Sequence, residues 1–422
     1  MHQNLHSAPR LPKTRTATTW LTNLLAKTIL ERLEGMQGGS VNVNWRGSTY
    51  KLGEQSHVKH AIEMNIHDDR FFSTLATRGS IGAAEAYMDG YWTTNDLEGA
   101  LLLVLNNYDM LEKMEGGLAN LSKPVLALYH RLRDNTLTGS KKNISAHYDL
   151  SNKFFELMLD ETMMYSSGIF KTPESTMHEA SLFKLDRICK KLRLNPNDHV
   201  LEIGTGWGGF AIYAARHYGC KITTTTISQE QFELAQGRIR EAGLENQIIL
   251  LQQDYRELEG TFDKIVSIEM IEAVGHQFYE SFFEVCQQRL KPGGSMLIQA
   301  ITIADQHYLD ARDSVDFIKR YIFPGSCIPS ITALAQAANT SSDLKLFHLE
   351  DIGDHYATTL RRWREAFFDS INEVRELGFD DRFIKMWDFY LCYCIAGFDK
   401  RHISDVHMVM VRPDSKLESP AT

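Results

Sequence analysis

Cysteine and long apolar runs are scarce in this chain, and each scarcity excludes a class of protein. The 6 cysteines include no CxxC pair, so neither a disulfide framework nor a zinc signature is expected. The longest apolar run, around 100–105, is far shorter than the ~20 residues that span a bilayer, so we expect no transmembrane helix. No continuous apolar segment follows Arg10, Lys13 and Arg15, so we expect no signal peptide. These features predict a cytoplasmic protein.

Positive charge is also in short supply. Lys and Arg number 45 against 54 Asp and Glu, which gives a net charge of −9. Proteins whose main partner is nucleic acid are usually basic, so we expect no nucleic-acid partner. At ~150 residues per domain, a chain of 422 residues predicts two or three domains. The hydrophobic fraction of 43% is ordinary for a globular protein.

The first third of the chain predicts a small domain that is mainly helical. Apolar residues recur at helical spacing over 20–33, which favours a helix packed on its own domain, although its basic surroundings also suit an anionic membrane surface. Alternating residues around Arg46-Gly47 predict a hairpin. The polar Gly/Ser/Asn-rich stretch 134–145 predicts a linker. We therefore divide the chain into an N-terminal domain, 1–135, and a second domain, 136–422.

Strands and helices alternate from about residue 197, which predicts an α/β domain with a parallel sheet and helices on both faces. The stretch KPGG predicts a turn before the strand SMLIQAITI. The alternation then breaks. A segment of about 304–400, aromatic and helical in pattern, precedes a last strand, VHMVMVRP. An insertion of this size before the final strand predicts a lid over an active site.

A glycine-rich turn, EIGTGWGGF, lies between the first strand of this series and a helix. Gly204, Gly206 and Gly209 permit a tight turn and a close approach of the backbone to a ligand. A lone turn of this kind could hold NAD or FAD, or could serve packing alone. Glu202 in the strand end resembles the ExGxG motif of S-adenosylmethionine methyltransferases. The acid that binds a ribose about 20 residues later is missing, which weakens the dinucleotide interpretation.

Motifs spread over residues 144–413 resemble those of the cyclopropane-fatty-acyl-phospholipid synthases, a family that includes the mycolic acid cyclopropane synthases. These motifs are AHYDLSNKFFELML, MMYSSGIF, EIGTGWGGF, TTISQEQ, QDYREL, IEMIEAVG, RYIFPGSCIPS, HYATTLRRW and YLCYCIAGF. GSIGAAEAYMDGYW also resembles the helical N-terminal domain of the longer synthases. The resemblance implies a Rossmann-like class I methyltransferase sheet and S-adenosylmethionine as the donor. It further implies that a methylene is added across a cis double bond of a phospholipid acyl chain.

The resemblance also implies a base, because ring closure removes a proton from the added methyl group. In this family the base is thought to be a bound bicarbonate, which we expect here beside S-adenosylmethionine. The residues that match its binding set are Ser167, Glu272, Gln299, Tyr356 and Cys394. Ser167 and Gln299 replace a cysteine and a histidine of the best-known bacterial members, yet both still offer donors to an anion. These departures keep open a fatty-acyl C-methyltransferase that forms a branch without a ring. A lipid-binding homologue without catalysis is a further alternative, although the intact glycines and Glu272 speak against it.

For the methyl donor, the resemblance implies contacts at the ends of the first three strands and in the segment that precedes them. The matching residues are Tyr165, Ser166, Glu202, Gly204, Thr205, Gly206, Trp207, Gly209, Thr226, Ile227, Ser228, Gln231, Asp254 and Tyr255. No residues are assigned to a metal. The expected partner is an unsaturated phospholipid at the inner face of a membrane, with the N-terminal residues and two further basic pairs, Arg131/Arg133 and Lys141/Lys142, as candidate contacts. A homodimer is expected from the resemblance alone.

Overall fold

The computed structural model describes residues 19–53, 62–107 and 150–418 of the chain. Three expectations lie outside the described residues. These are the basic clusters around Arg10, Arg131 and Lys141, the linker 134–145, and the boundary between the two domains. The division of the chain at residue 135 therefore stays a prediction.

Helices and strands are numbered in chain order through the described residues. The strands are β1 Ser40–Trp45, β2 Ser48–Gly53, β3 Ile62–Ile66, β4 Trp92–Thr94, β5 His199–Ile203, β6 Lys221–Thr226, β7 Ile248–Gln252, β8 Phe262–Ile268, β9 Leu290–Ile303, β10 Lys345–Asp351 and β11 Ile403–Val411. The helices are α1 Thr19–Leu33, α2 Arg70–Met88, α3 Leu97–Asn106, α4 Asn152–Glu156, α5 Met177–Leu192, α6 Gly209–Tyr218, α7 Gln229–Glu241, α8 Tyr279–Arg289, α9 Asp305–Asp313, α10 Ile331–Ser341, α11 Asp354–Asp369, α12 Ile371–Glu376 and α13 Asp381–Asp399.

A seven-stranded sheet with the order β10-β11-β9-β8-β5-β6-β7 forms the centre of the second domain. Strands β5 to β9 run parallel to one another, and β11 and β10 add an antiparallel edge next to β9. Apolar residues of α5 and α6 pack on one face and those of α8 and α10 on the other. The predicted parallel α/β sheet with helices on both faces is therefore confirmed.

The order of the strands determines where a ligand can bind. The chain runs from β5 outward through β6 and β7, and then returns to continue on the other side of β5 with β8 and β9. In such sheets the crevice for ligands opens at the carboxyl ends of the strands where this direction reverses. Here that point lies between the ends of β5 and β8.

Two details of this domain differ from the sequence prediction. The stretch KPGG does not end the element as a turn, because β9 already begins at Leu290 and includes it. The pairing with β8 jumps from Phe262↔Leu290 to Lys264↔Ser295, so the extra residues form an irregularity within the strand. The insertion is also not wholly helical: β10 lies within it and pairs with β11 at the sheet edge.

The N-terminal segment contains helices α1 to α3 and a four-stranded sheet with the order β2-β1-β3-β4. The predicted hairpin is confirmed: β1 and β2 pair antiparallel around Arg46 and Gly47, both of which have positive φ. The predicted helix over 20–33 is confirmed as α1. Ala26 and Leu30 are buried on its inner side, whereas Trp20 is 74% exposed.

The lid segment, residues 304–400, and the N-terminal segment share one apolar core. Trp45 and Phe72 belong to the same buried cluster as Trp363 and Trp387 of the lid segment. Asp388 also lies at this junction, where it accepts hydrogen bonds from Tyr87 of α2 at 3.0 Å and from Arg364 of α11 at 2.6 Å. The aromatic residues of the lid segment therefore serve as core, as their helical spacing suggests.

In the part of the chain that the structure describes, no helix has the length and apolarity needed to cross a membrane.

Candidate active site

The glycine-rich loop follows β5 at the carboxyl edge of the sheet. Gly204, Gly206 and Gly208 have φ values of +99°, +52° and +86°, which favour glycine. Gly204 and Thr205 donate their backbone N–H groups to Thr225 O at 3.1 and 2.9 Å, which fixes the loop against β6. A Cβ atom added at Gly206 would have no protein atom within 4 Å. The loop backbone thus borders free space at the reversal point of the sheet.

Side chains behind the loop hold it in place. Arg238 of α7 donates to Trp207 O at 2.7 Å and to Thr162 O at 3.1 Å. The buried Trp207 ring donates to Asn152 Oδ1 at 2.7 Å. At Gly209 an added Cβ would lie 2.6 Å from Met164 Sδ, so only glycine fits between the loop and the segment before α5. Trp207 and Gly209 therefore support the loop from the protein side.

Glu202 is buried near the end of β5, and it lies opposite Thr224 of the adjacent strand β6. Its Oε2 accepts a hydrogen bond from Thr224 Oγ1 at 2.5 Å, and Thr224 Oγ1 also lies 2.6 Å from Thr205 Oγ1. Burial raises the pKa of Glu202 to about 8. The predicted donor residues Glu202 and Thr205 are therefore brought together beneath the loop.

Four further predicted donor residues lie at the end of β6, in the turn after it and in the first turn of α7. Thr226 Oγ1 donates to Gln231 Oε1 at 2.8 Å and accepts from Ser228 N at 3.1 Å. Ser228 also caps α7 by accepting from Gln231 N at 3.3 Å. Ile227 lies half-buried between them. This turn follows the parallel strand next to β5, where polar side chains reach the same edge as the glycine loop.

Asp254 and Tyr255, two of the predicted donor residues, already have partners within the protein. Both carboxyl oxygens of Asp254 accept hydrogen bonds from the Arg256 guanidinium, at 2.8 and 2.7 Å. Tyr255 packs edge-on against Phe282 with ring centroids 5.5 Å apart, and burial raises the pKa of its hydroxyl. Their position beyond β7 agrees with the prediction, but the Asp254 carboxylate is committed to Arg256.

Two predicted donor residues, Tyr165 and Ser166, lie on the segment before α5. The Tyr165 hydroxyl is 2.9 Å from that of Tyr390, and its ring stacks on Trp363 with centroids 5.1 Å apart. Ser166 Oγ accepts a hydrogen bond from Lys184 Nζ at 2.6 Å. Tyr165 therefore contacts the lid segment, and Ser166 contacts the buried Lys184.

The carboxylate of Glu269, just past the end of β8, is the centre of a second polar group. Its Oε1 accepts from Ser167 N at 2.9 Å and from Gln299 Nε2 at 2.8 Å. Its Oε2 accepts from Tyr356 OH at 2.5 Å. Three of the five residues predicted to hold an anion therefore meet, and they meet on a side chain that sequence reasoning missed.

The other two predicted members lie apart from this contact. Glu272 Oε1 accepts from Ile301 N at 2.5 Å, while its buried Oε2 has no hydrogen-bond partner among the described residues. Cys394 packs in the aromatic core of α13, and the described residues provide it with no hydrogen bond to Glu269 or Glu272. Burial raises the pKa of its thiol. Nothing in these contacts joins Cys394 to the polar group, so its role stays a prediction.

A chain of buried polar groups fixes the orientation of the Gln299 amide. Lys191 Nζ lies 2.7 Å from His407 Nδ1, and as an ammonium it donates to that nitrogen. The other ring nitrogen then carries the proton and donates to Gln299 Oε1 at 3.2 Å. The Gln299 Nε2 group is left to donate to Glu269 and to Asp405 Oδ2, the latter at 2.8 Å.

Lys184 is the buried cation of this region. It is 0% exposed, and burial lowers the pKa of its ammonium to about 8. The charges of Glu269, Asp405, Asp160 and Glu202 act in the opposite direction, in that order. Lys184 thus interacts electrostatically both with Glu202, beneath the glycine loop, and with Glu269.

The missed residues left a partial signal in the sequence. Glu269 directly follows β8, at the carboxyl edge of the sheet where ligand sites form. Asp405 and His407 stand two residues apart in the mostly apolar strand β11, so their side chains share one face. Charged residues at such places in buried strands are uncommon without a partner. The partners themselves could not be read from the sequence.

The arrangement places the glycine loop beside a buried polar group that lies under aromatic rings. Met270, next to Glu269, has its Cγ 3.2 Å from the Cβ position of Gly204, so the loop and the polar group adjoin. Tyr356 stacks on Phe398 with centroids 4.4 Å apart and meets Trp363 edge-on. Such a site can hold a cationic species against ring faces and can accept a proton on a buried carboxylate.

Comparison with known families gives a match over most of the chain. The profile of the mycolic acid cyclopropane synthetase family matches residues 135–408. Tuberculostearic acid methyltransferase UfaA1 of Mycobacterium tuberculosis is 35% identical over 361 residues, which cover 83% of this chain and 84% of that protein. The cyclopropane-fatty-acyl-phospholipid synthase of Escherichia coli is 35% identical over 353 residues, which cover 83% and 88%.

Solved structures agree with these matches. The cyclopropane synthase MmaA2 from Mycobacterium tuberculosis superposes with a TM-score of 0.60 at 28% identity and covers 64% of this chain and 98% of its own. The mycolic acid cyclopropane synthase CmaA1, complexed with SAH and CTAB, gives a TM-score of 0.59 at 27% identity and covers 64% and 98%. The expected class I methyltransferase fold is thereby confirmed.

Proposed function

The chain belongs to the mycolic acid cyclopropane synthetase family and is an S-adenosylmethionine-dependent methyltransferase, and on that premise we propose that it closes a cyclopropane ring on phospholipids. In this reaction one carbon is added across a cis double bond of an acyl chain. The observation that carries the proposal is the buried Tyr356–Glu269 pair, which adjoins the glycine loop under the aromatic lid segment. A carboxylate in such an apolar place can accept the proton that ring closure releases.

The glycine loop and the strand ends beside it are suited to the methyl donor. Gly206 offers an open approach to the backbone, and Glu202 and Thr226 provide carboxyl and hydroxyl oxygens at the same edge. When bound, S-adenosylmethionine supplies an electrophilic methyl group on its sulfonium. The residues of the loop then have to orient this methyl toward the Glu269 group, and they adjoin it through Met270.

The aromatic rings above the polar group suit an acyl chain and the charge that forms on it. An alkene that accepts a methyl cation becomes a carbocation, which water would quench. Trp363 and Phe398 exclude water from the region around Tyr356, and the faces of such rings attract a cation by up to ~2 kcal/mol when desolvated. The product forms when a base removes a proton from the added methyl group.

Formation of a branch is the second candidate. The relative UfaA1, which is named a tuberculostearic acid methyltransferase, is as similar to this chain as the Escherichia coli synthase. Both reactions share the donor, the acceptor and the carbocation, and they differ only in the fate of that cation. The homodimer, the inner-face membrane location and the lack of a nucleic-acid partner stay predictions.

The test is incubation of the purified protein with methyl-labelled S-adenosylmethionine and vesicles of dioleoyl phospholipid, followed by proton NMR of the extracted fatty acids. We expect label in the acyl chains together with the high-field signals of a cyclopropane ring. Label without these signals would replace ring closure with the branching reaction. Absence of label from the lipid would contradict lipid methyl transfer altogether.

A further inference from the structure

The carboxylate of Glu269 occupies the donors that the family resemblance assigns to bicarbonate. Ser167 N, Gln299 Nε2 and Tyr356 OH all donate to its two oxygens, at 2.9, 2.8 and 2.5 Å. A carboxylate and a bicarbonate present the same pair of charged oxygens to such donors. A side chain of the protein itself therefore already accepts hydrogen bonds from these three donors.

Bicarbonate does not fit these residues while Glu269 is present. A second anion would have to displace the Glu269 carboxylate from its three donors or lie beside it in an apolar site. Two like charges a few ångströms apart in a site of low dielectric repel strongly. Lys184, the buried cation nearby, already faces Glu269, Asp405 and Glu202.

We propose that Glu269 is the base of the reaction and replaces bicarbonate in this chain. The inference rests on the proposed function. In the step, a C–H bond of the added methyl breaks, and its electron pair forms the C–C bond that closes the ring and neutralises the carbocation. The proton passes to a carboxyl oxygen of Glu269. No further reactant is needed, since the donor supplied the positive charge that leaves as this proton.

The backbone at Glu269 agrees with a specific role for this side chain. Its φ of +46° is in the left-handed region, which is unfavourable for a non-glycine residue. This backbone conformation is maintained because Glu269 N donates to Gln299 O at 2.8 Å and because three donors hold the side chain. Strain of this kind is retained where surrounding contacts compensate it, often at functional sites. Glycine at this position would be free of strain.

The neighbouring acids Glu272 and Asp405 are less suited than Glu269 to accept the proton. Burial and the charge of Glu269 raise the pKa of Glu272 to about 8, so Glu272 holds its proton at neutral pH. The same two causes raise the pKa of Asp405 well above its usual range. Burial raises the pKa of Glu269 as well, but Lys184 and the Tyr356 hydroxyl act against this rise. The three hydrogen-bond donors on its oxygens and the nearby Lys184 ammonium favour the charged form of Glu269.

The test compares the wild type with Glu269→Gln and Glu269→Gly on dioleoyl phospholipid vesicles, in CO2-free buffer and with added sodium bicarbonate. We expect the wild type to form product equally in both. Glu269→Gln should lose about 10²–10⁴-fold in turnover, the usual contribution of a general base. Glu269→Gly should lose activity in CO2-free buffer and regain it with bicarbonate, because the vacated donors can then hold the free anion.

Glu85→Gln is the matched control, because Glu85 is also a buried carboxylate that accepts from a tyrosine, Tyr321, at 2.6 Å. It lies in α2, in the N-terminal segment, and should leave turnover per folded molecule and its bicarbonate independence unchanged. Unfolding curves and titration with S-adenosylhomocysteine establish that each variant is folded and binds the donor product.

The outcomes separate the two claims. A wild type whose product formation requires bicarbonate would overturn the role of Glu269 and leave the proposed function standing. The same holds if Glu269→Gln keeps full turnover. A wild type that transfers no methyl group to lipid under either condition would overturn the proposed function, and the inference with it.

Discussion

Lys184→Met should lower the free energy of unfolding by about 3–5 kcal/mol and abolish methyl transfer, because it leaves the buried Glu269 carboxylate without its cation. Lys184 Nζ is buried, donates to Ser166 Oγ at 2.6 Å and faces Glu269, Asp405, Asp160 and Glu202. Methionine fills a similar volume, so packing changes little and the loss reflects the charge. Without the ammonium, Glu269 would tend to take up a proton and could no longer accept one. Urea unfolding and transfer of labelled methyl to vesicles measure the two effects.

Lys190→Met provides the matched control on the same helix. The Lys190 side chain is 69% exposed and pairs with Asp186 one turn earlier at 2.6 Å. An exposed pair of this kind contributes about 0.3–0.5 kcal/mol, so stability and activity should barely change. If both variants lost the same stability, the buried carboxylates would not depend on Lys184.

Gly206→Val should weaken binding of S-adenosylhomocysteine at least about a hundredfold, which corresponds to about 2.7 kcal/mol. The φ of +52° at Gly206 is strongly unfavourable for a β-branched residue, and the new side chain would project into the free space beside the loop. The loop would then either change conformation or block the donor. Isothermal titration calorimetry measures the affinity.

Gly243→Val separates backbone strain from the loss of the donor site. Gly243 has a φ of +67° and equally open surroundings, but it lies after α7, away from the loop. Both variants should lose a similar amount of stability, about 1–2 kcal/mol, from the left-handed backbone. Only Gly206→Val should lose donor affinity. Equal affinities in the two variants would mean that the loop does not hold the donor.

The sheet and the glycine loop could be predicted because their signals are local. Apolar strands alternate with amphipathic helices from residue 197 onward, and the φ values required at Gly204 and Gly206 explain why glycine stands there. The edge strand β10 could not be predicted in this way. Its residues are half-buried or exposed without regular alternation, and the strand forms because β11 offers it an edge.

The centre of the polar group could not be predicted, for a different reason. Motif resemblance indicated Glu272, whereas the contacts converge on Glu269, which lies three residues earlier in the chain. Ser167, Gln299 and Tyr356 come from three distant parts of the chain, so only folding brings them to one carboxylate. The departure from the family pattern at Gln299 has a structural counterpart, since its amide donates to a carboxylate that the chain supplies.

The central claim, that a carboxylate of the protein takes a proton from the transferred methyl group, is tested most directly by the fate of the hydrogens of that group. The measurement uses a donor whose transferred methyl carries only deuterium, with mass spectrometry of the fatty acids formed by the wild type in CO2-free buffer. The account predicts that the added carbon keeps two of its three deuteriums. Products that keep all three, or no product without bicarbonate, would contradict it.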